Sequence, residues 1–348
     1  MIMSKVSILV PMYGVERYIR QCARSLFAQS YDNCEFIFVD DASIDRSLEQ
    51  LKVEIASTPH RATQIRIIEQ RINGGVAAAR NTALDAATGD YILFVDADDW
   101  VEPELVDRLL QRASQTNADI CNAWCESVTE HDERTPTPTI WLSGRHAHLR
   151  AILGQSHIVP NHIRGMLIRR SLLEDNALRF TPQVDFGEDY SLLPRALYYA
   201  RKRSTLHEYL YQYRVENSGS YMNNIGERQV RNYIAAERIV SDFFNSTPSA
   251  KQLQRALTLG RVNIKKWIFR RGISPLTYDA TLLRAEKIPA KYPLLRLYNS
   301  ALNSCSSPLI NLFSIVINLA LFIRVKITLL VLLKGKRGSY GGPRLRHD

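Results

Sequence analysis

A five-residue apolar run that ends in carboxylates constrains this chain more than any other stretch. Tyr91–Val95, bounded by Gly89, is too short for a helix and reads as a buried strand of a parallel sheet. Asp96, Asp98 and Asp99 follow at its carboxyl end, where open α/β sheets bind their ligands. Side chains alternate along an extended chain, so Asp96 and Asp98 are expected to point one way with Ala97 turned aside. Two converging carboxylates make a hard oxygen site suited to Mg²⁺ or Mn²⁺ carrying a phosphate. A solvated acidic turn would leave the same trace, so the flanking segments must decide.

Those segments repeat one pattern. Val6–Val10 is an apolar strand stopped by Pro11-Met12-Tyr13-Gly14, and Val15, Tyr18, Ile19, Cys22, Ala23, Leu26 and Phe27 recur at helical spacing. Glu35–Val39 is a second strand ending in Asp40 and Asp41, and Ser43–Asp45 opens a helix with Leu48, Leu51 and Ile55 inward. A third strand, Ile65–Ile68, leads through Asn73-Gly74-Gly75 to the helix Val76–Ala87. A helix at about Glu104–Ala113 and a strand near Ala118–Trp124 follow the acidic run. Such alternation predicts an α/β, doubly wound and mostly parallel sheet. No strand precedes a Gly-x-Gly-x-x-Gly, and no Gly-x4-Gly-Lys-Ser/Thr occurs, which disfavours dinucleotide and P-loop chemistry. Three strands with polar or acidic ends suit a nucleotide. Asp41 could accept from a base or ribose, and Arg80 could face a diphosphate, unless Arg80 is simply a solvated helical arginine beside Asp85.

Four ordered motifs carry a resemblance. They are Val10-Pro11-Met12-Tyr13, Val39 to Asp45, Asn73-Gly74-Gly75 through Ala79-Arg80-Asn81, and Phe94 to Asp99. Together, over about Val6 to Ser220, the chain resembles the family 2 inverting glycosyltransferases of the GT-A fold. The resemblance implies that Pro11 and Tyr13 frame the base and Asp41 accepts from the uracil NH. Asn73, Arg80 and Ala97 would border the donor, Asp96 would lie by the ribose and diphosphate, and Asp98, with Asp96, would ligate Mg²⁺ or Mn²⁺. Where the family usually has Asn after the Tyr and Gly before the Ser, this chain has Gly14 and Ala42.

In the second half, Glu126–Thr139 is polar and Pro-bearing and reads as a loop at or over the site. His162 stands among strand-like segments between Ile158 and Arg170, as a structural or acceptor-facing group. Phe186-Gly187-Glu188-Asp189-Tyr190 opens a helical run, where helix capping would account for the acids. The resemblance instead places the catalytic base at Asp189, with Glu188 in support. Tyr209–Tyr221 reads as a strand and a Ser/Gly turn. The resemblance has this region close over the diphosphate, with Arg214, Ser218 and Ser220 as candidates.

Charge divides the chain. Residues 1–125 hold 12 Lys+Arg and 18 Asp+Glu, and the remainder holds 33 and 17. An acidic front half argues against nucleic acid as a partner along the whole length, whereas a basic back half suits an anionic membrane surface or a phosphate-bearing acceptor. Lys251–Arg271 ends in a basic helix around Trp267 and Phe269. Leu297–Ile323 carries no charge but an Asn/Ser stripe, which suits an interfacial helix, with a membrane span or an oligomer contact as alternatives. Five cysteines without a CxxC pair point to a reducing compartment, and Met1–Lys5 runs straight into a strand, leaving no room for a leader. The expected organisation is a catalytic domain over 1–224, a basic helical extension over 225–300, and a membrane-leaning segment with a basic tail over 301–348. The resulting expectation is a peripheral enzyme on the cytoplasmic face of the inner membrane. It would move a sugar, glucose by a further likeness to succinoglycan-type enzymes, from a UDP-sugar to a lipid-linked saccharide. A non-catalytic nucleotide-sugar or glycan-binding module, or a nucleic-acid-binding protein, would be the rivals.

Overall fold

The computed structural model describes residues 4–139, 141–142, 144–155, 159, 161–215 and 225–269. In chain order the elements begin β1 (Val6–Met12), α1 (Ile19–Phe27), β2 (Cys34–Asp40), α2 (Ser47–Ala56), β3 (Ile65–Glu69), α3 (Val76–Ala86), β4 (Tyr91–Phe94), β5 (Trp100–Val101) and α4 (Leu105–Thr116). There follow β6 (Ile120–Val128), β7 (Arg134–Thr137), α5 (Arg145–Leu153), β8 (Met166–Arg169), α6 (Arg170–Glu174), α7 (Glu188–Tyr199), β9 (Arg203–Arg214), α8 (Glu227–Asn245) and α9 (Ala250–Phe269).

One sheet carries them in the order β3-β2-β1-β4-β8-β6-β9-β5, with β7 on β6. The first four strands are parallel, as the βαβ spacing requires. The sheet then becomes mixed, which corrects the mostly parallel expectation. Strand β8 lies antiparallel to both β4 and β6, so β6 again runs with β4, and β9 runs with β6. The carboxyl ends of β4, β6 and β9 therefore share one edge. The four residues of β8, directly followed by a helix, are too few for periodicity to announce.

Both faces of the sheet are covered, which is why its strands read as continuous apolar runs. Leu9, Ile37, Val39, Ile92 and Phe94 face α3, α7 and α8 through Ala83, Leu193, Leu197, Val240 and Phe244. Ile8, Val10, Phe36, Phe38 and Leu93 face α1 and α4 through Leu26, Leu105 and Leu109. Each of these large side chains contributes about 1.5–3 kcal/mol through burial.

The polar stretch after Glu126 is not simply a loop. Strand β6 continues to Val128 and returns as β7, with Glu126 opposite Pro136. The four exposed residues of β7 form an edge, where a proline costs no ladder bond.

Strand β1 explains the position of the site. Leu9 accepts from Val95 on the β4 side, whereas Met12 accepts from Asp41 on the β2 side. Backbone polarity alternates, so Pro11 turns its missing N–H toward β4, whose pairing has already ended at Leu9 opposite Phe94. Strands β1 and β4 separate there and open the crevice.

The backbone divides into two compact units, Met1–Asn263 and Ile264–Asp348. The expected boundaries after residues 224 and 300, the Leu297–Ile323 segment, and Ser218 and Ser220 lie outside the described residues. Among the described residues no helix is long and apolar enough to cross a membrane.

Candidate active site

The first wall is backbone held by a carboxylate. Asp41 is buried, and its two oxygens each accept a backbone N–H, from Gly74 and Gly75, both at 2.8 Å. Asn73 donates to the Asp41 carbonyl at 3.2 Å. Burial, opposed by these two N–H groups, leaves Asp41 above the usual carboxylate range. Gly75 has φ +85° and ψ 166°, and a Cβ there would lie 2.1 Å from Asp185 Oδ1. Only glycine meets both demands. Pro11 is buried in β1, and Tyr13 is 45% exposed beyond it. Gly14 and Ala42, which depart from the usual family residues, have φ +66° and +58°. Both positions are left-handed, so a residue tolerant of that conformation is the local requirement at each.

Beyond β4 the chain does not stay extended. Asp99 N–H closes a turn on the Asp96 carbonyl at 3.0 Å, so strand alternation is not what orients these acids. Asp96 and Asp98 keep partial exposure, while Ala97 and Asp99 are buried. Asp99 is fixed from β9. The Tyr211 hydroxyl donates to its Oδ2 at 2.8 Å, and the Arg214 N–H donates to its Oδ1 at 2.9 Å. Burial beside Asp98 and Asp96 pushes Asp99 well above the carboxylate range. Asp99 thus anchors the turn to β9. The Arg214 side chain donates to the Asp98 carbonyl at 3.0 Å and to Gln21 at 2.7 Å, over the rings of Tyr18 and Trp100.

Arg80 joins the two halves. It is 3% exposed, so it is not a solvated helical residue, and Asp85 pairs instead with Arg179. Its Nη2 donates to Asp96 at 2.7 Å, and its Nη1 donates to Glu188 at 2.9 Å and Asp189 at 2.8 Å. Although burial opposes it, the charges of Asp189, Asp96 and Glu188 hold the guanidinium firmly protonated. Arg80 in turn outweighs burial at Asp96, which sits below its ordinary value.

Glu188 and Asp189 occupy the first turn of α7, but neither makes a side-chain cap, because the N-cap is Gly187. Capping therefore does not account for the pair. Asp189 Oδ2 accepts from the Ile163 N–H at 3.3 Å. Burial and the neighbouring Asp189 push Glu188 up to about 8. Burial also raises Asp189, against the pull of Arg80. Both members of the pair thus have raised proton affinity beside a fixed guanidinium, an arrangement suited to proton transfer.

The loop before β8 supplies groups that the sequence did not single out as ligands. Arg164 lies 3.7 Å over the Tyr213 ring, and its charge acts on Asp96, Asp99 and Asp189. Burial and Arg164 together lower His162 to about 3, so this imidazole is neutral. It lies in the field of Asp96, which places it at the site rather than in a remote core. Pattern reading had only one signal for Arg164, a lone cation in a polar stretch.

The site is thus a carboxylate-rich crevice at the switch point of an α/β sheet, with an acid pair facing it from a helix N-terminus. Residues 7–176 match the model of Glycosyl transferase family 2. Two glycosyltransferases of Bacillus subtilis (strain 168) are similar to this chain. EpsJ is 36% identical over 229 residues, 62% of each chain, and EpsH is 33% identical over 222 residues, 61% of each. The chain thus spans about three fifths of the length of these relatives. The structure of Staphylococcus aureus TarS 1–349 in complex with UDP-GlcNAc superposes with a TM-score of 0.63 over 86% of this chain and 88% of that one. At 19% identity this likeness speaks for the fold alone. The relatives' names carry no succinoglycan-type assignment, so that refinement is withdrawn.

Proposed function

We propose that this protein is an inverting glycosyltransferase that moves a sugar from a UDP-sugar to a hydroxyl of a bacterial surface polysaccharide. One observation carries the reading. Arg80 gathers Asp96 from the strand end and Glu188 with Asp189 from a helix more than ninety residues later onto a single guanidinium. A binding module needs no acid pair of raised proton affinity beside its ligand carboxylates, which argues for catalysis over the non-catalytic rival.

In the proposed reaction the donor lies in the crevice between β1 and β4, its base toward Pro11, Tyr13 and Asp41. Asp189 takes the proton of the acceptor hydroxyl as the oxygen attacks the sugar C1. The new C1–O bond forms while the bond from C1 to the diphosphate oxygen breaks. The electron pair leaves with UDP, and the configuration inverts. Glu188 holds Arg80 from the other side and keeps Asp189 oriented.

Asp98 and Asp96 fit a divalent cation by their donor chemistry. Among the described residues no cluster of three or more His, Cys, Asp or Glu side chains could hold a metal. Mg²⁺ commonly uses one or two carboxylates and takes its remaining shell from phosphate and water. Bound there, Mg²⁺ or Mn²⁺ would offset the charge of the departing diphosphate.

TarS is named as a poly(ribitol-phosphate) β-N-acetylglucosaminyltransferase, and is 26% identical over 225 residues. That relation and the basic second half support a polymeric, phosphate-bearing or lipid-linked acceptor at the membrane surface. The decisive experiment is a screen of UDP-sugars for UDP release with Mn²⁺, with and without a saccharide acceptor. Turnover of any of them supports the reading. UDP binding without turnover under all conditions would favour the binding module.

A further inference from the structure

The three site arginines are not equivalent. Arg80 has both Nη1 hydrogens and one Nη2 hydrogen engaged by carboxylates, and its charge faces three of them. It has little attraction left for a phosphate. Arg214 is fastened to the Asp98 carbonyl and to Gln21 between two aromatic faces. Arg164 differs from both. Among the described residues its guanidinium makes no ion pair within 4 Å and no side-chain hydrogen bond, and its Nε, like that of Arg80, is buried without a partner. A half-buried guanidinium stacked on Tyr213, in the field of carboxylates but bonded to none of them, keeps its donors for a further anion.

Its place is equally specific. The adjacent residue, Ile163, gives its N–H to Asp189. The carboxylates that Arg164 acts on are Asp96, Asp99 and Asp189, at the reacting end of the crevice, rather than Asp41 at the base end. With its central carbon 3.7 Å from the Tyr213 ring centroid, the guanidinium has one face supported by that ring. A planar fork with open donors matches the oxygens of a phosphate.

From this geometry we propose that Arg164 is the cation that receives the terminal phosphate of the donor's diphosphate, while Arg80 serves as a clamp on the carboxylates. The inference rests on the glycosyltransferase reading and adds to it a residue in contact with the leaving group. It also divides the labour. Arg80 sets the geometry of Asp96 and Asp189 before the donor arrives. Arg164 becomes fully partnered only when the donor binds.

The test is calorimetric titration of the full chain with UDP, UMP and uridine in the presence of Mn²⁺, for wild type and Arg164→Gln. The expected result is a roughly 10- to 100-fold loss of UDP affinity, the scale of a lost charge-assisted pair, with UMP and uridine within about twofold of wild type. Equal UDP affinity in wild type and variant overturns the assignment. Equal losses for UDP and UMP overturn its placement at the terminal phosphate, and a loss extending to uridine shows a general disturbance of the site instead. Should Arg164→Gln fail to fold, Arg164→Lys answers the same question. It keeps a charge on Tyr213 without the fork, so the ratio of UDP to UMP affinity should fall by a smaller factor, and an unchanged ratio refutes the proposal. A wild-type chain that binds no UDP sinks the donor assignment itself. UDP binding with an indifferent Arg164 variant sinks only the role of Arg164.

Discussion

Arg80→Gln is the most informative single change to this fold. It removes a guanidinium that bonds Asp96, Glu188 and Asp189 at 2.7, 2.9 and 2.8 Å and leaves the three carboxylates facing one another. Breaking a buried charge cluster by removing one partner costs about 3–5 kcal/mol. Here the acids retain 30%, 15% and 16% side-chain exposure and can take up protons, which favours the lower end, about 3 kcal/mol. At about 2–4 °C per kcal/mol for a domain of this size, Tm at pH 7.5 should fall by about 6–12 °C.

The pH dependence has a definite sign. Arg80 holds Asp96 below its ordinary pKa of 3.8, against the effect of burial. That contribution to stability is present above pH 3.8 and is lost as pH falls through the folded-state value. The deficit of the variant should therefore hold from pH 7.5 to about 4 and narrow only as the buffer is taken below pH 3.8, through the folded-state value of Asp96. Thermal melts followed by circular dichroism across that range measure it. A variant within about 2 °C of wild type at pH 7.5, or a deficit that widens on acidification, would refute the clamp. Arg80→Lys places one ammonium where three directed bonds are needed and should recover less than half of the loss. A fully stable Arg80→Lys with impaired UDP binding would return Arg80 to the donor.

Three further expectations can be checked with the same protein. Asp189→Asn should lower transfer by roughly a hundred- to ten-thousand-fold while UDP affinity changes by less than about tenfold, with Glu188→Gln milder. The reverse order in rate assays would make Glu188 the base. Because burial raises Asp189, the acidic limb of the wild-type rate profile should lie above the ordinary carboxylate range, with the rate rising as the base loses its proton. Asp98→Ala should abolish the difference in UDP affinity between Mn²⁺ and EDTA without unfolding the chain, and an unchanged difference removes Asp98 from the metal site. Gly75→Ala should destabilise by at least about 1–3 kcal/mol from backbone strain, with a clash on Asp185 in addition, and a denaturant midpoint equal to wild type would contradict the geometry.

The sequence was most legible where structure is local. Strands β1, β2 and β4 and the helices between them follow from apolar runs and spacing, because both faces of this half of the sheet are buried. The Asp-x-Asp turn, the Gly pair and the acid pair of α7 were visible as separate motifs. Their meeting on Arg80 was not, since Asp85, five residues on, offered an equally good local partner. Pattern reading also misplaced the start of β9 at Tyr209. Residues 203–208 mix charge and polarity because they line the rim of the sheet, and only pairing with β6 reveals them. The hairpin of β6 and β7 was hidden by Pro136, which is tolerated because β7 is an edge. Arg164 had no periodicity to mark it. Its role depends on Tyr213 and Asp96, neither of which is near it in sequence.

The clamp also has a history during synthesis. Asp96 follows Arg80 by 16 residues, but Glu188 follows it by 108. At about 5–20 residues per second, the second half of its charge arrives about 5–20 s after the first. Until then helix α3 carries a cation on a face destined for burial, and strand β4 has no β8 along its free edge. The nascent parallel half therefore exposes the β4 edge, and a helix cation with only the first of its carboxylate partners, for as long as those further 92 residues take to be added.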